Sequence, residues 1–297
     1  MDPLLIPFGF GVGFLVGMTG MGGGSLMTPL LILVFGTSPV TAVGSDITYA
    51  AVTKSVGGWR HLRLKTVNLE LSFWLALGSV PAAIAGVWVI EWLHQRYGSQ
   101  LDDIVLTMLA IALIVVGVIV LGRALFAVAA HAREREHFTL TRRHKVAAAS
   151  IGASTGFVIG LTSAGSGTLI AVFLIAYYRL VPRQVVGTDV FHAAVLLTAA
   201  SIAHIVAGNV NFGLVGAILI GSIPGVWLGS HLIVRLPSGL LRTALGVVMI
   251  AASLALFDKA GINVPLAAML AIPAAFAAAM VVRGVTRRGR AIRATAP

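Results

Sequence analysis

The chain contains no cysteine, so disulfides, thiolate metal sites and cysteine nucleophiles are all excluded. It is also poor in charge. Asp, Glu, Lys and Arg make up 10% of its 297 residues and hydrophobic residues 58%, whereas an ordinary soluble domain carries about 25% charged residues. A water-soluble fold is therefore excluded. No cluster of His, Asp or Glu shows metal-ligand spacing, no cofactor motif is present, and no Gly-Lys-Ser/Thr follows the glycine-rich segments, which disfavours nucleotide hydrolysis. The first apolar run lacks a preceding basic region and a following small-residue cleavage site, so it reads as a membrane helix and not as a removed leader.

What the chain does have is apolar sequence from end to end. Runs fall near residues 3–18, 22–35, 42–58, 69–92, 101–123, 146–161, 165–178, 185–207, 210–235, 239–258 and 264–283, many of them close to the roughly 20 residues that cross about 30 Å of hydrocarbon. An all-α polytopic membrane protein is expected. The formal charge of +11 sits in short connectors and in the tail. That is the positive-inside pattern, so lipid and not nucleic acid is the expected macromolecular environment. The basic stretch from Arg123 to Lys145 and the tail from Arg283 to Arg293 are expected in the cytoplasm, which predicts a multi-pass protein of the bacterial inner membrane.

Residues 9–86 align without a gap on residues 152–229 at an offset of 143, with 25 of the 78 pairs identical. Chance matching of apolar residues does not explain polar residues that hold one register: Thr19 falls on Thr162, Asp46 on Asp189, His61 on His204 and Asn68 on Asn211. The chain is thus an internal duplication. It divides into a first repeat over 1–125, a basic linker over 126–145, a second repeat over 146–258, and an additional helix with a basic tail over 259–297. Arg60, Arg63 and Lys65 lie in a connector whose counterpart, 203–208, is uncharged, while Arg179 and Arg183 have the uncharged counterparts Gly36 and Val40. Complementary charge at homologous connectors predicts two repeats of inverted topology, an architecture of secondary transporters.

Each repeat opens with two short runs that meet at a glycine-rich turn, Gly20–Ser25 and Ser163–Thr168. These predict broken or re-entrant helices at the repeat interface, although Gly13 and Gly17 also suit close helix packing. A turn that opens a helix offers backbone N–H groups at the positive end of the dipole, a site for an oxyanion. The candidate substrate-binding residues are Thr19, Gly22, Gly23, Gly24 and Ser25 in the first repeat. In the second they are Thr162, Ser163, Gly165, Ser166, Gly167 and Thr168.

Asp46 and Asp189 stand at the start of apolar spans in homologous places. A carboxylate there must face the protein interior or be protonated part of the time, as proton coupling requires. Capping of their helices is an alternative that is not exclusive of it. His192, three residues after Asp189, and Lys54, the one Lys well inside an apolar run, complete the proton-coupling candidates. His61 and His204 lie next to connectors and read as interfacial anchors.

The glycine-rich openings, the segments Pro39-Val-Thr-Ala-Val-Gly-Ser-Asp and Pro182-Arg-Gln-Val-Val-Gly-Thr-Asp, and the Gly-Ser-Val-Pro and Gly-Ser-Ile-Pro spans from Gly78 and Gly221 together resemble the TauE/SafE sulfite exporter family, from Pro7 to about Leu256. The resemblance implies movement of sulfite, sulfoacetate or similar anions, often outward and driven by the proton gradient. Many members carry Gly-Thr-Ser where this chain has Gly-Ser-Asp and Gly-Thr-Asp. Expected, then, is a secondary transporter of a small anion, possible as a homo-oligomer, with no cofactor. An anion channel, or a permease working in the uptake direction, is the alternative. A membrane enzyme lacks a nucleophile-base constellation.

Overall fold

A computed structural model describes residues 4–19, 24–126, 140–232 and 238–265, with isolated positions between 267 and 278. The described residues form ten α-helices: α1 (Leu5–Thr19), α2 (Gly24–Val34), α3 (Pro39–Arg63), α4 (Leu69–Tyr97), α5 (Leu101–Phe126), α6 (Arg142–Thr162), α7 (Leu169–Ala176), α8 (Pro182–Val206), α9 (Phe212–Leu232) and α10 (Ser238–Lys259). Five of them, α4, α5, α6, α8 and α9, are long and apolar enough to cross a membrane, and α1 is a shorter apolar helix. Phe73, Leu77 and Trp88 on α4, and Ile220, Ile223 and Trp227 on α9, are all exposed. On a soluble protein such surfaces would be an anomaly; here they are the faces turned to lipid. The chain is a multi-pass membrane protein.

Glycine sets the tightest packing. A Cβ added at Gly9, Gly13 or Gly17 of α1 would lie within 2.7 Å of the backbone of Ile218, Ser222 or Val226 on α9, while Gly221, Gly225 and Gly229 reciprocate against Ile6, Phe10 and Phe14. The same seam recurs 143 residues along. Gly152, Gly156 and Gly160 of α6 press on Leu75, Ser79 and Ala83 of α4, and Gly78 of α4 presses on Ala149. Residue numbers rise together along both seams, so each pair is parallel, and small residues at every fourth position let the backbones meet. The first helix of each repeat thus packs on the fourth helix of the other.

The homologous helices α3 and α8 cross each other antiparallel. Ser201 Oγ donates to Thr48 Oγ1 at 2.9 Å, and at the repeat counterparts of these two residues a Cβ on Gly58 would lie 3.2 Å from Phe191 Cα. Outside this core, α5 packs on α10 through Gly117 and Gly246. Lys259 at the end of α10 donates to the carbonyl of Ile32 at 2.8 Å, which satisfies a terminal acceptor of α2.

Basic residues gather mainly at one pole in this arrangement. Arg183 donates to the Leu64 carbonyl at 3.1 Å, Lys145 pairs with Glu70 at 2.9 Å, and the Tyr178 hydroxyl donates to the His144 carbonyl at 2.9 Å. The end of α3 and the starts of α4, α6 and α8 therefore gather at one pole with Arg60, Arg63, Lys65, Arg142, Arg143, Lys145, Arg179 and Arg183. The opposite pole, where α3 and α9 begin and α8 ends, has no Lys or Arg at 36–41 or 203–212 and holds Arg96 and Lys259 at the ends of α4 and α10.

Three local expectations change. The opening helix of the second repeat is a full span, because α6 starts at Arg142 inside the stretch read as linker, under a capping box formed by Thr141 and His144. Asp46 and Asp189 are not caps: each is the eighth residue of its helix, whose N-caps are Ser38 and Val181. His204 is not an interfacial anchor but fully buried, with Nε2 at 3.1 Å from the Gly160 carbonyl. The additional helix expected near 264–283 and the basic tail lie outside the described residues, apart from those isolated positions.

Candidate functional site between the repeats

The Gly-Ser-Asp segment of α3 and the Gly-Thr-Asp segment of α8 each do two jobs. Their first two residues build the scaffold. A Cβ on Gly44 would meet the Asn209 carbonyl at 2.4 Å, and one on Gly187 would meet the Thr66 carbonyl at 2.5 Å, so these sites need a residue without a side chain. The Ser45 hydroxyl then accepts the Asn211 N–H, and the Thr188 hydroxyl accepts the Asn68 N–H, each at 3.0 Å. Asn211 and Asn68 in turn accept the Leu214 and Leu71 N–H groups, the N-cap geometry of α9 and α4. Each motif therefore anchors a helix of the opposite repeat. Sequence reasoning missed this role, since the signal is the shared +143 register of Asn68 with Asn211.

The aspartates point to different work. Asp46 is fully buried, and its Oδ2 accepts the Thr28 hydroxyl at 2.5 Å and the Ser163 hydroxyl at 2.8 Å. Among the described residues its Oδ1 is buried without a hydrogen bond. Both donors are peculiar to this aspartate, because the counterparts of Thr28 and Ser163 are Ala171 and Gly20. Asp189 is also buried. His192 turns away from it and brings Nε2 to 2.8 Å from Ser79 Oγ, so α8 is joined to α4 and not to its own Asp189.

In the second glycine-rich turn, α6 ends at Thr162 and Ser163 takes a left-handed conformation with φ 58°. Ser163 carries a Cβ into a region that favours glycine, and its hydroxyl is what holds Asp46. Thr162 Oγ1 donates to the Val158 carbonyl. Gly165 has φ 88°, and the N–H groups of Gly167, Thr168 and Leu169 converge on its carbonyl at 2.8, 3.0 and 3.2 Å. Those donors, expected open from the sequence, are thus turned inward in this arrangement. Ser166 is the exception, since its hydroxyl is buried and has no partner among the described residues. In the first repeat, Gly20–Gly23, and with them the candidates Gly22 and Gly23, lie outside the described residues. Gly24 and Ser25 open α2, and Thr19 closes α1.

Lys54 has no counterpart cation, because Leu197 occupies the homologous place on α8. It is 8% exposed, and among the described residues it makes no hydrogen bond, ion pair or cation-π contact. No group of three or more His, Cys, Asp or Glu that could hold a metal occurs among the described residues.

Comparison with known proteins places the chain. It is 39% identical over 232 residues to "Probable membrane transporter protein YjnA" of Bacillus subtilis (strain 168), which covers 78% of this chain and 90% of that protein. It is 28% identical over 261 residues to a "Probable membrane transporter protein" of Xylella fastidiosa (strain Temecula1), covering 86% of this chain and 95% of that one. "Probable membrane transporter protein YdhB" of Bacillus subtilis is 24% identical over 242 residues, 82% of this chain and 94% of the relative. No solved structure matches. The family model described as "Sulfite exporter TauE/SafE" matches residues 5–256, and the chain belongs to that family.

Proposed function

We propose that this protein is a proton-coupled secondary transporter of a small anion such as sulfite or an organosulfonate, working outward across the bacterial inner membrane. The observation that carries the reading is the antiparallel crossing of α3 and α8, homologous helices with ionisable residues buried along their lengths. Two copies of one unit related in this way have inverted topology, and alternating access follows when one unit adopts the conformation of the other. The basic pole supports the orientation, with that end in the cytoplasm.

The anion contacts are the two glycine-rich turns, Thr19 with Gly22–Ser25 and Thr162–Ser163 with Gly165–Thr168; in the second, the Gly167 and Thr168 N–H groups close on the Gly165 carbonyl in this arrangement, and the donor it offers is the buried Ser166 hydroxyl, without a partner among the described residues. The register of α3 on α8 bears on their spacing. Asp46 lies level with residue 203 of α8 and Asp189 level with residue 60 of α3, about 21 Å apart at 1.5 Å per residue. The turn tied to Asp46 is therefore one station on a path between the poles, not half of a single cage. Asp46 and Asp189 are the proton carriers, buried well inside their helices where a carboxylate without a purpose is costly.

The test is uptake of sulfite into proteoliposomes with and without an imposed pH gradient. Acceleration by the gradient, in the direction that moves protons against sulfite or with it, is expected. Flux indifferent to the gradient would identify a channel, and absence of flux for sulfite, sulfoacetate and small carboxylates alike would remove the anion reading.

A further inference from the structure

The reciprocal contacts locate the axis that relates the two repeats. Thr48 meets Ser201, and their counterparts Phe191 and Gly58 meet each other. The midpoint of these two contacts falls at Thr53 on α3 and Leu196 on α8, with Lys54 and Leu197 the next residues along. Lys54 is thus within one residue of the pseudo-twofold axis, with Asp46 and Asp189 on either side of it.

A Lys in this place is hard to explain as structure. It is 8% exposed and makes no hydrogen bond, ion pair or ring contact among the described residues. A charge in the middle of a membrane protein is unfavourable unless something pairs with it. The other basic side chains of the first repeat with described surroundings, Arg60, Arg63, Lys65 and Arg96, are exposed or at helix ends. Close to Lys54 the crossing is narrow, with Gly57 against Val190 and Gly58 against Phe191 and Ala194.

We infer that Lys54 is the central counter-ion for the transported anion, and that the anion it takes is a singly charged oxyanion, a sulfonate or hydrogensulfite headgroup. The inference rests on the transport reading above and adds to it the residue and the charge class. One ammonium neutralises one negative charge; a dianion held there would leave a second charge uncompensated in a low-dielectric interior. A Lys whose backbone lies at the axis can also present its ammonium towards either pole, so the same residue serves the inward-facing and the outward-facing states without a second copy. This explains why the duplication keeps one Lys and places Leu at its counterpart.

The experiment uses the full chain in nanodiscs, with radiolabelled sulfite as the probe and methanesulfonate and sulfate as competitors. Wild-type protein is expected to bind sulfite, to release it to methanesulfonate, and to retain it against an equal concentration of sulfate. Lys54→Met should bind about tenfold or more weakly, the loss of a charge-assisted hydrogen bond, while melting no lower than wild type without anion, because a charge without a partner among the described residues has been removed. Transposition is the sharper arm: Lys54→Leu combined with Leu197→Lys returns the ammonium to the axis from the other helix and should restore binding. Wild-type affinity in Lys54→Met, a lower anion-free melting point in that variant, or no recovery in the transposed protein would each overturn the assignment. Displacement by sulfate as effective as by methanesulfonate would overturn the charge class. If wild type itself binds none of the three anions, it is the anion-transport reading that falls.

Discussion

Ser163 Oγ donates a 2.8 Å hydrogen bond to Asp46 Oδ2, so a left-handed residue in the turn of the second repeat holds the buried carboxyl of the first. Two substitutions separate the bond from the backbone. Ser163→Ala deletes the donor and keeps a Cβ at positive φ, whereas Ser163→Gly deletes the donor and relieves that conformation. Loss of a bond to a carboxylate is worth about 1.5–3 kcal/mol, and Gly should recover about 1 kcal/mol of it. Unfolding of the purified variants by heat or by a graded denaturing detergent should therefore rank wild type first, Ser163→Gly second and Ser163→Ala last. Equal stability of all three would mean that the bond contributes nothing.

Proton coupling through the aspartates is tested by neutral isosteres. Asp46→Asn and Asp189→Asn should each leave inserted, anion-binding protein whose flux no longer follows a pH gradient. Asp46→Asn keeps an oxygen that can accept both the Thr28 and the Ser163 hydroxyls, as one carboxyl oxygen does now, so this variant should fold as wild type. Coupling unchanged in both variants would assign the aspartates to structure alone.

The glycine seams make a prediction with its own control. Gly13→Val and Gly156→Val place atoms on backbone that a Cβ alone would already approach to 2.5 and 2.3 Å, whereas nothing lies within 4 Å of a Cβ at Gly11 or Gly216. Overpacking of this kind costs about 1–3 kcal/mol or more. The first two variants should be lost from the monodisperse fraction on size-exclusion chromatography. Gly11→Val and Gly216→Val should elute as wild type.

Orientation is accessible directly, because the absence of cysteine makes the natural chain a clean background. Arg63→Cys and Arg183→Cys should react with a membrane-impermeant maleimide only from the cytoplasmic side, and Gly208→Cys only from the outside. Gly208 has φ 75°, so that variant carries a small backbone cost in an exposed connector. Labelling of Arg63→Cys and Gly208→Cys from one side would remove the inverted topology.

The spans were legible because run length and membrane thickness are linked by a single number, and the packing of Gly13 and Gly17 was legible because small residues four apart have one common use. The turn of polar helix that starts α6 was not: Arg142–Lys145 has the composition of a linker, and only the capping box of Thr141 and His144 marks it as helix. The depth of Asp46 and Asp189 was legible in principle. Pro39 and Pro182 occupy the first helical turn, where a missing N–H costs nothing, and counting from them puts each aspartate two turns inside. The anchoring by Ser45 and Thr188 was not legible, since one chain cannot reveal that the motif of one repeat meets the fourth helix of the other.

That exchange of partners bears on how the protein is made. During synthesis, α1 and α4 enter the membrane before either surface that fits their glycines exists, since α9 and α6 are encoded later. The first repeat must wait, inserted but unsealed, until α9 has been threaded in. A message cut after the linker thus yields helices with bare seams, material for membrane quality control and not a half-sized transporter, and two separately expressed halves become functional only by finding each other.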